Sequence, residues 1–142
     1  MPDSILALLR DGVADGAFAG AALVVQDLAS GSAALHQVAG CVSSCPAGPA
    51  VRRDTAFDLA SLTKLYTASV AWRLVAAGRL SLQDDAGELL ARPHLCGVTV
   101  QHLLDHRSGL PPWKPLFAGF DPVGQALAAP LEAAPGARHA YS

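Results

Sequence analysis

An α+β fold is what this chain predicts, on three observations. Two runs of β-forming residues lie side by side early in the sequence, an apolar stretch of helical length follows them, and the later periodic segments are short and helical. Residues 4–16 read as a short amphipathic helix. Gly20 to Asp27 and Ala33 to Gly40 read as two strands joined by Leu28-Ala29-Ser30-Gly31, a hairpin connection of the longer kind. The segment Cys41 to Arg53 is rich in Gly, Pro and Ser and reads as a loop. Residues 59–78 form the central helix. Leu62, Leu65, Ala68, Val70, Ala71, Trp72, Leu74, Val75 and Ala76 leave it apolar on most sides, which predicts burial, and Gly78-Arg79 is its stop. Shorter helices are expected over 99–106 and 122–129, the second ending before Pro130, with the irregular Pro111-Pro112-Trp113-Lys114-Pro115 between them.

The composition excludes several classes. At 142 residues one domain with a modest core is expected, and 51% hydrophobic with 15% charged residues excludes disorder. A net charge of −2 without basic clusters argues against nucleic acid or an anionic membrane as partner. No stretch reaches the roughly 18 uncharged apolar residues of a membrane span, since even the central helix carries Lys64 and Arg73. The start lacks a basic region and a small-residue cleavage site, which points to cytoplasmic residence.

The chemistry concentrates at Ser61-Leu62-Thr63-Lys64. Positions i and i+3 share a helix face, and lysine is scarce here: of ten Lys and Arg residues only Lys64 and Lys114 are lysines. A serine in the first turn lies where unpaired N–H groups and the helix dipole favour negative charge, as an attacked carbonyl would develop. Serines also cap helices without further purpose. Capping leaves unexplained why an ammonium should lie one turn into an apolar helix, where burial is costly. A serine needs a base to become a nucleophile, and a lysine can serve if desolvation lowers its pKa, or can keep the site positive and pass the proton to a third group.

Two later segments supply such a group. Thr99-Val100-Gln101-His102-Leu103-Leu104-Asp105-His106-Arg107-Ser108-Gly109-Leu110-Pro111 combines a capping Thr, a short helix and a Ser-Gly-Leu-Pro exit, and Pro135-Gly136 leads to Tyr141-Ser142. In order, Leu59-Ala60-Ser61-Leu62-Thr63-Lys64, the His-Arg-Ser-Gly-Leu-Pro turn and the Pro-Gly to Tyr-Ser segment resemble the serine β-lactamase-like superfamily, in particular its class C β-lactamase, DD-peptidase and esterase group. The resemblance runs over nearly the whole chain. It implies an antiparallel sheet packed against helices, with the nucleophile opening the central helix beside an all-α region, and residues 1–142 as the N-terminal part of one hydrolase domain. It also implies that Ser61 is acylated, that Lys64 is its activating partner, and that Tyr141 is the tyrosine of a Tyr-x-Asn motif, Ser142 filling the middle place. The Asn and the later Lys/His-x-Gly triplet of the family lie beyond these residues, so the chain is expected to be truncated and not competent alone. The implied substrates are small amides, β-lactams, peptides or esters, with no cofactor and no metal.

A rival reading is a non-catalytic, β-lactamase-like binding or interaction domain. Other constellations carry less. Cys41, Cys45 and Cys96 are odd in number, and Cys41-x-x-x-Cys45 has no second pair to complete a zinc site. His102 and His106 have the i, i+4 spacing of a metal pair, but Asp105 stands where the inverted zinc-protease pattern needs Glu. His36, His94 and His139 show no ligand spacing. Trp72 and Trp113 are expected as core and loop-anchoring aromatics, not as substrate platforms.

Overall fold

The computed structural model describes residues 2–44 and 48–141, which form two compact units divided between Asp58 and Leu59. The first contains helix α1 (Pro2–Ala14) and strands β1 (Gly20–Gln26) and β2 (Ala33–Gly40). The strands pair antiparallel from Gly20 opposite Gly40 to Val25 opposite Leu35, and α1 lies against β2. Asp27, expected at the end of β1, belongs to the turn instead. Its carboxylate accepts the Ala29 N–H at 2.9 Å, the main reason its pKa falls below the ordinary carboxylate value, and its own N–H donates to Ser32 O at 3.0 Å. The expected Cys41–Arg53 loop is tied to the sheet: Val51 donates to Gly40 O and Val42 to Pro49 O, both at 2.9 Å, and the Val51 side chain is buried.

The second unit is helical. A 3-10 turn (Ala60–Leu62) leads into α2 (Thr63–Ala76), followed by α3 (Ala86–Leu89), a 3-10 turn (Pro93–Leu95), α4 (Val100–Leu104), a further 3-10 turn (Leu116–Ala118) and α5 (Pro122–Leu127). The stop of α2 is as expected: Gly78 has φ +66°, Arg79 N–H donates to Leu74 O and Gly78 N–H to Val75 O, both at 3.0 Å, the doubled pattern of a glycine-terminated helix. The single turn of α3 was too short to show in the periodicity. Asp85 makes it by capping, accepting Glu88 N–H at 3.1 Å and Gly97 N–H at 2.6 Å. Around it Ala86, Leu95, Val98 and Val100 are buried, and Ala86 N–H donates to Val98 O at 2.7 Å.

The expected burial of the central helix is not observed. No residue of α2 is buried, and Leu65, Tyr66 and Trp72 are 65%, 63% and 54% exposed, so Trp72 is not a core residue here. The half-buried positions include Lys64, Ala68, Ala71 and Val75, a stripe at helical spacing. Lys64 and Ala68 of this stripe, with Thr67, share a hollow with Leu103, Leu104 and His106 of the α4 region. An all-round apolar helix needs neighbours on every side to be buried, and α2 has them on one. Among the described residues no helix is long and apolar enough to cross a membrane.

Candidate active site

Ser61 sits in the middle of the 3-10 turn, after Ala60, whose φ of +43° is the left-handed conformation that non-glycine residues seldom adopt. The capping positions of this turn and of α2 are Leu59 and Leu62, so Ser61 is not a helix cap. Lys64 is the second residue of α2. It lies on the half-buried stripe, where the helix fixes its direction.

Tyr141 comes from the other end of the same unit and completes a three-residue cluster. Its phenol oxygen takes a hydrogen bond from the Ser61 hydroxyl, and this is the main cause that lowers its pKa below the ordinary tyrosine value. Partial desolvation opposes the shift, while the charge of Lys64 and a hydrogen bond with it add to the lowering. The Lys64 Nζ also stands 4.9 Å from the centre of the Tyr141 ring, within cation–π range. Tyr141 remains 54% exposed, so substrate-sized groups can reach it.

The turn after α4 holds the segment that delivers this tyrosine. Residues 128–141 contain no helix or strand, and their position rests on backbone hydrogen bonds: Glu132 N–H to Gly109 O, Gly136 N–H to Arg107 O and Ala140 N–H to His106 O, each at 2.8 Å. The Arg107 guanidinium adds a bond to Gly136 O at 3.3 Å, and Arg138 pairs with Glu132 at 3.1 Å. Gly109 has φ +82°, and a Cβ there would run into the Ala133 carbonyl, so glycine is required where the two segments meet. The two motifs that stand far apart in sequence are thus one structural device.

His102 is spent on structure. Its backbone N–H donates to Thr99 Oγ1 at 3.1 Å and its Nδ1 accepts Thr99 N–H at 3.2 Å, a reciprocal capping box that fixes the ring at the start of α4. Among the described residues no group of three or more His, Cys, Asp or Glu side chains is arranged around a common point. Cys41 and Cys96 are free thiols; Cys45 and Ser142 lie outside the described residues. Trp113 is 70% exposed and lines a hollow of about 330 Å³ with Leu110, Pro111, Leu116 and Ala129.

Two residues near the cluster were weighed in the sequence only as metal ligands, and no place at the site was expected for them. The His106 ring lies 4.6 Å from the Tyr141 ring, tilted by 41°, and the His139 ring meets His106 edge-on at 5.8 Å. The available signal was the i, i+2 spacing of His139 and Tyr141, which would put both on one side if the segment were a strand.

Comparison with known proteins bears on the family and the fold. The family model described as Beta-lactamase matches residues 5–142. The chain is 37% identical to esterase EstB of Burkholderia gladioli over 122 residues, covering 68% of this chain and 31% of the esterase. It is 38% identical to penicillin-binding protein 4* of Bacillus subtilis over 72 residues, covering 50% of this chain and 16% of that protein. The D-amino acid amidase from Ochrobactrum anthropi SV3, solved with L-phenylalanine, superposes with a TM-score of 0.78 at 24% identity, over 100% of this chain and 41% of the amidase. The chain therefore has the serine β-lactamase-like α+β fold and spans about a third of the esterase it matches.

Proposed function

The chain belongs to the beta-lactamase family, a family of serine hydrolases, and from that premise we propose that Ser61 forms an acyl-enzyme with an amide, β-lactam or ester substrate. The observation that carries this reading is the Tyr141 phenol, hydrogen-bonded to Ser61 and held beside the Lys64 charge. A residue that only lined a cleft would have no reason to meet both. The family model runs without interruption across both compact units, which supports residues 1–142 as part of one hydrolase domain.

In the proposed sequence Tyr141, ionised, takes the proton of Ser61, and the Ser61 Oγ forms a bond to the substrate carbonyl carbon while the carbonyl pair moves onto oxygen. Collapse re-forms the carbonyl and breaks the bond to the leaving nitrogen or oxygen, which receives the proton from Tyr141. Water then loses a proton to Tyr141 and attacks the ester, and its collapse returns Ser61 with its proton. Lys64 stays cationic and favours the phenolate, the second of the two roles open to it from sequence. The names of the similar proteins, an esterase, penicillin-binding proteins and an amidase, support acyl transfer as the reaction class and leave the choice among these carbonyls to the pocket.

The test is covalent capture. The intact protein is incubated with a fluorophosphonate or a penicillin, and mass spectrometry is expected to find the adduct on the peptide containing Ser61. Labelling that survives Ser61→Ala would overturn the assignment, and no adduct with either probe would favour the binding-domain reading.

A further inference from the structure

Tyr141 reaches the site at the end of a segment without regular secondary structure, so something other than a helix or a strand must aim its ring. Three contacts converge on His106. Its carbonyl accepts the Ala140 N–H at 2.8 Å, one residue before the tyrosine; its ring lies 4.6 Å from the Tyr141 ring; and the His139 ring meets it edge-on at 5.8 Å. Residues 139 and 141 are two positions apart, and the His106 imidazole lies beside both rings. His106 also lines the hollow that Lys64 lines, so it borders the cation as well as the phenol.

The backbone of His106 is unusual in the same place. Its φ is +55°, a left-handed conformation that non-glycine residues adopt at a cost and keep only where the surroundings require it. This conformation directs one residue's carbonyl to Ala140 and its ring to Tyr141. A residue serving only to end α4 would be better replaced by glycine, as at Gly78 after α2.

We infer that His106 is a positioning residue: its imidazole is the platform that holds the Tyr141 phenol in line with Ser61 and Lys64, and it exchanges no proton itself. The inference rests on the proposed role of Tyr141, but its main test does not depend on turnover. The chain has two tyrosines, Tyr66 and Tyr141. In the intact protein labelled with 13Cζ-tyrosine, the NMR resonance lost in Tyr141→Phe is that of Tyr141, and its titration reports this phenol.

His106→Ala is expected to move that titration toward the ordinary tyrosine range, because the phenol loses its alignment with Ser61 and Lys64. His106→Phe, which keeps a flat ring and removes both nitrogens, is expected to return the titration close to that of the parent. In hydrolysis of an activated ester by the intact protein, His106→Ala is expected to lower kcat by about 10- to 100-fold with KM changed less than about twofold, the pattern of a displaced catalytic group. His106→Phe is expected to restore most of that loss. Where His106→Ala does not unfold cooperatively, His106→Leu, which fills the space without a ring, takes its place.

A phenol titration unmoved in both the Ala and the Leu variants would overturn the inference. So would His106→Phe being as impaired as His106→Ala, since a nitrogen and not the platform would then be needed. If Tyr141→Phe were fully active, the proposed mechanism would fall, yet the titration would still decide whether His106 aligns the phenol.

Discussion

A phenol in water keeps its proton to about pH 10, and beside a donating hydroxyl and a cation it loses that proton earlier. This is the situation of Tyr141, whose lowered pKa comes first from Ser61 and then from Lys64, against partial desolvation. The sign follows directly: the folded site favours the phenolate, so the alkaline-rising limb of the acylation rate is expected below pH 10. Lys64→Ala removes the cation that favours the phenolate, so the limb is expected to move up and acylation at neutral pH to slow. Tyr141→Phe keeps the ring and is expected to remove the limb altogether. Stopped-flow acylation across pH checks both variants. A Lys64→Ala profile that superposes on the parent would take Lys64 out of the proton path.

The elements differ in how much they hold. Leu95 is buried in the cluster with Ala86, Val98 and Val100, so Leu95→Ala is expected to cost about 2–5 kcal/mol, the range for truncating a core leucine. Leu65 is equally apolar but lies on the open side of α2, and Leu65→Ser is expected to stay within about 0.5 kcal/mol in the same chain. Gly78 occupies a left-handed position, where a Cβ costs about 1–2 kcal/mol, so Gly78→Ala should destabilise although it touches nothing. Urea unfolding of the three variants gives the order. Equal losses at Leu65 and Leu95 would contradict the burial described for α2.

Taken alone, the 142-residue chain exposes Leu62, Leu65, Tyr66, Val70 and Trp72 around α2, along with Phe117 and Phe120. Its sheet has two strands among the described residues, fewer than usually stand alone. Apolar patches and open strand edges drive association. Expressed by itself, residues 1–142 are therefore expected to associate and to show little hydrolysis of an activated ester or a chromogenic cephalosporin. Size-exclusion chromatography, thermal unfolding and rate measurements check this. A monomeric, cooperatively folded product with Ser61-dependent turnover would overturn the expectation.

The sequence by itself determined the strands, the position of α2 and its stop, because periodicity and glycine at a left-handed position are local properties, and it singled out Ser61, Lys64 and Tyr141 through motifs and the family resemblance they carry. It also predicted a buried α2, and within residues 1–142 no residue of that helix is buried. An apolar surface states what a helix can bury, whereas burial depends on which neighbours stand against it, and α2 has them on the Lys64 side. Tertiary structure alone decided that the turn at His106 to Gly109 and the segment at Glu132 to Tyr141 are joined by hydrogen bonds, and that Ser61 meets a phenol instead of capping a helix. Those contacts link residues tens of positions apart. No local pattern encodes them, because a hydrogen bond or a ring contact requires closeness in space, which only the folded chain supplies.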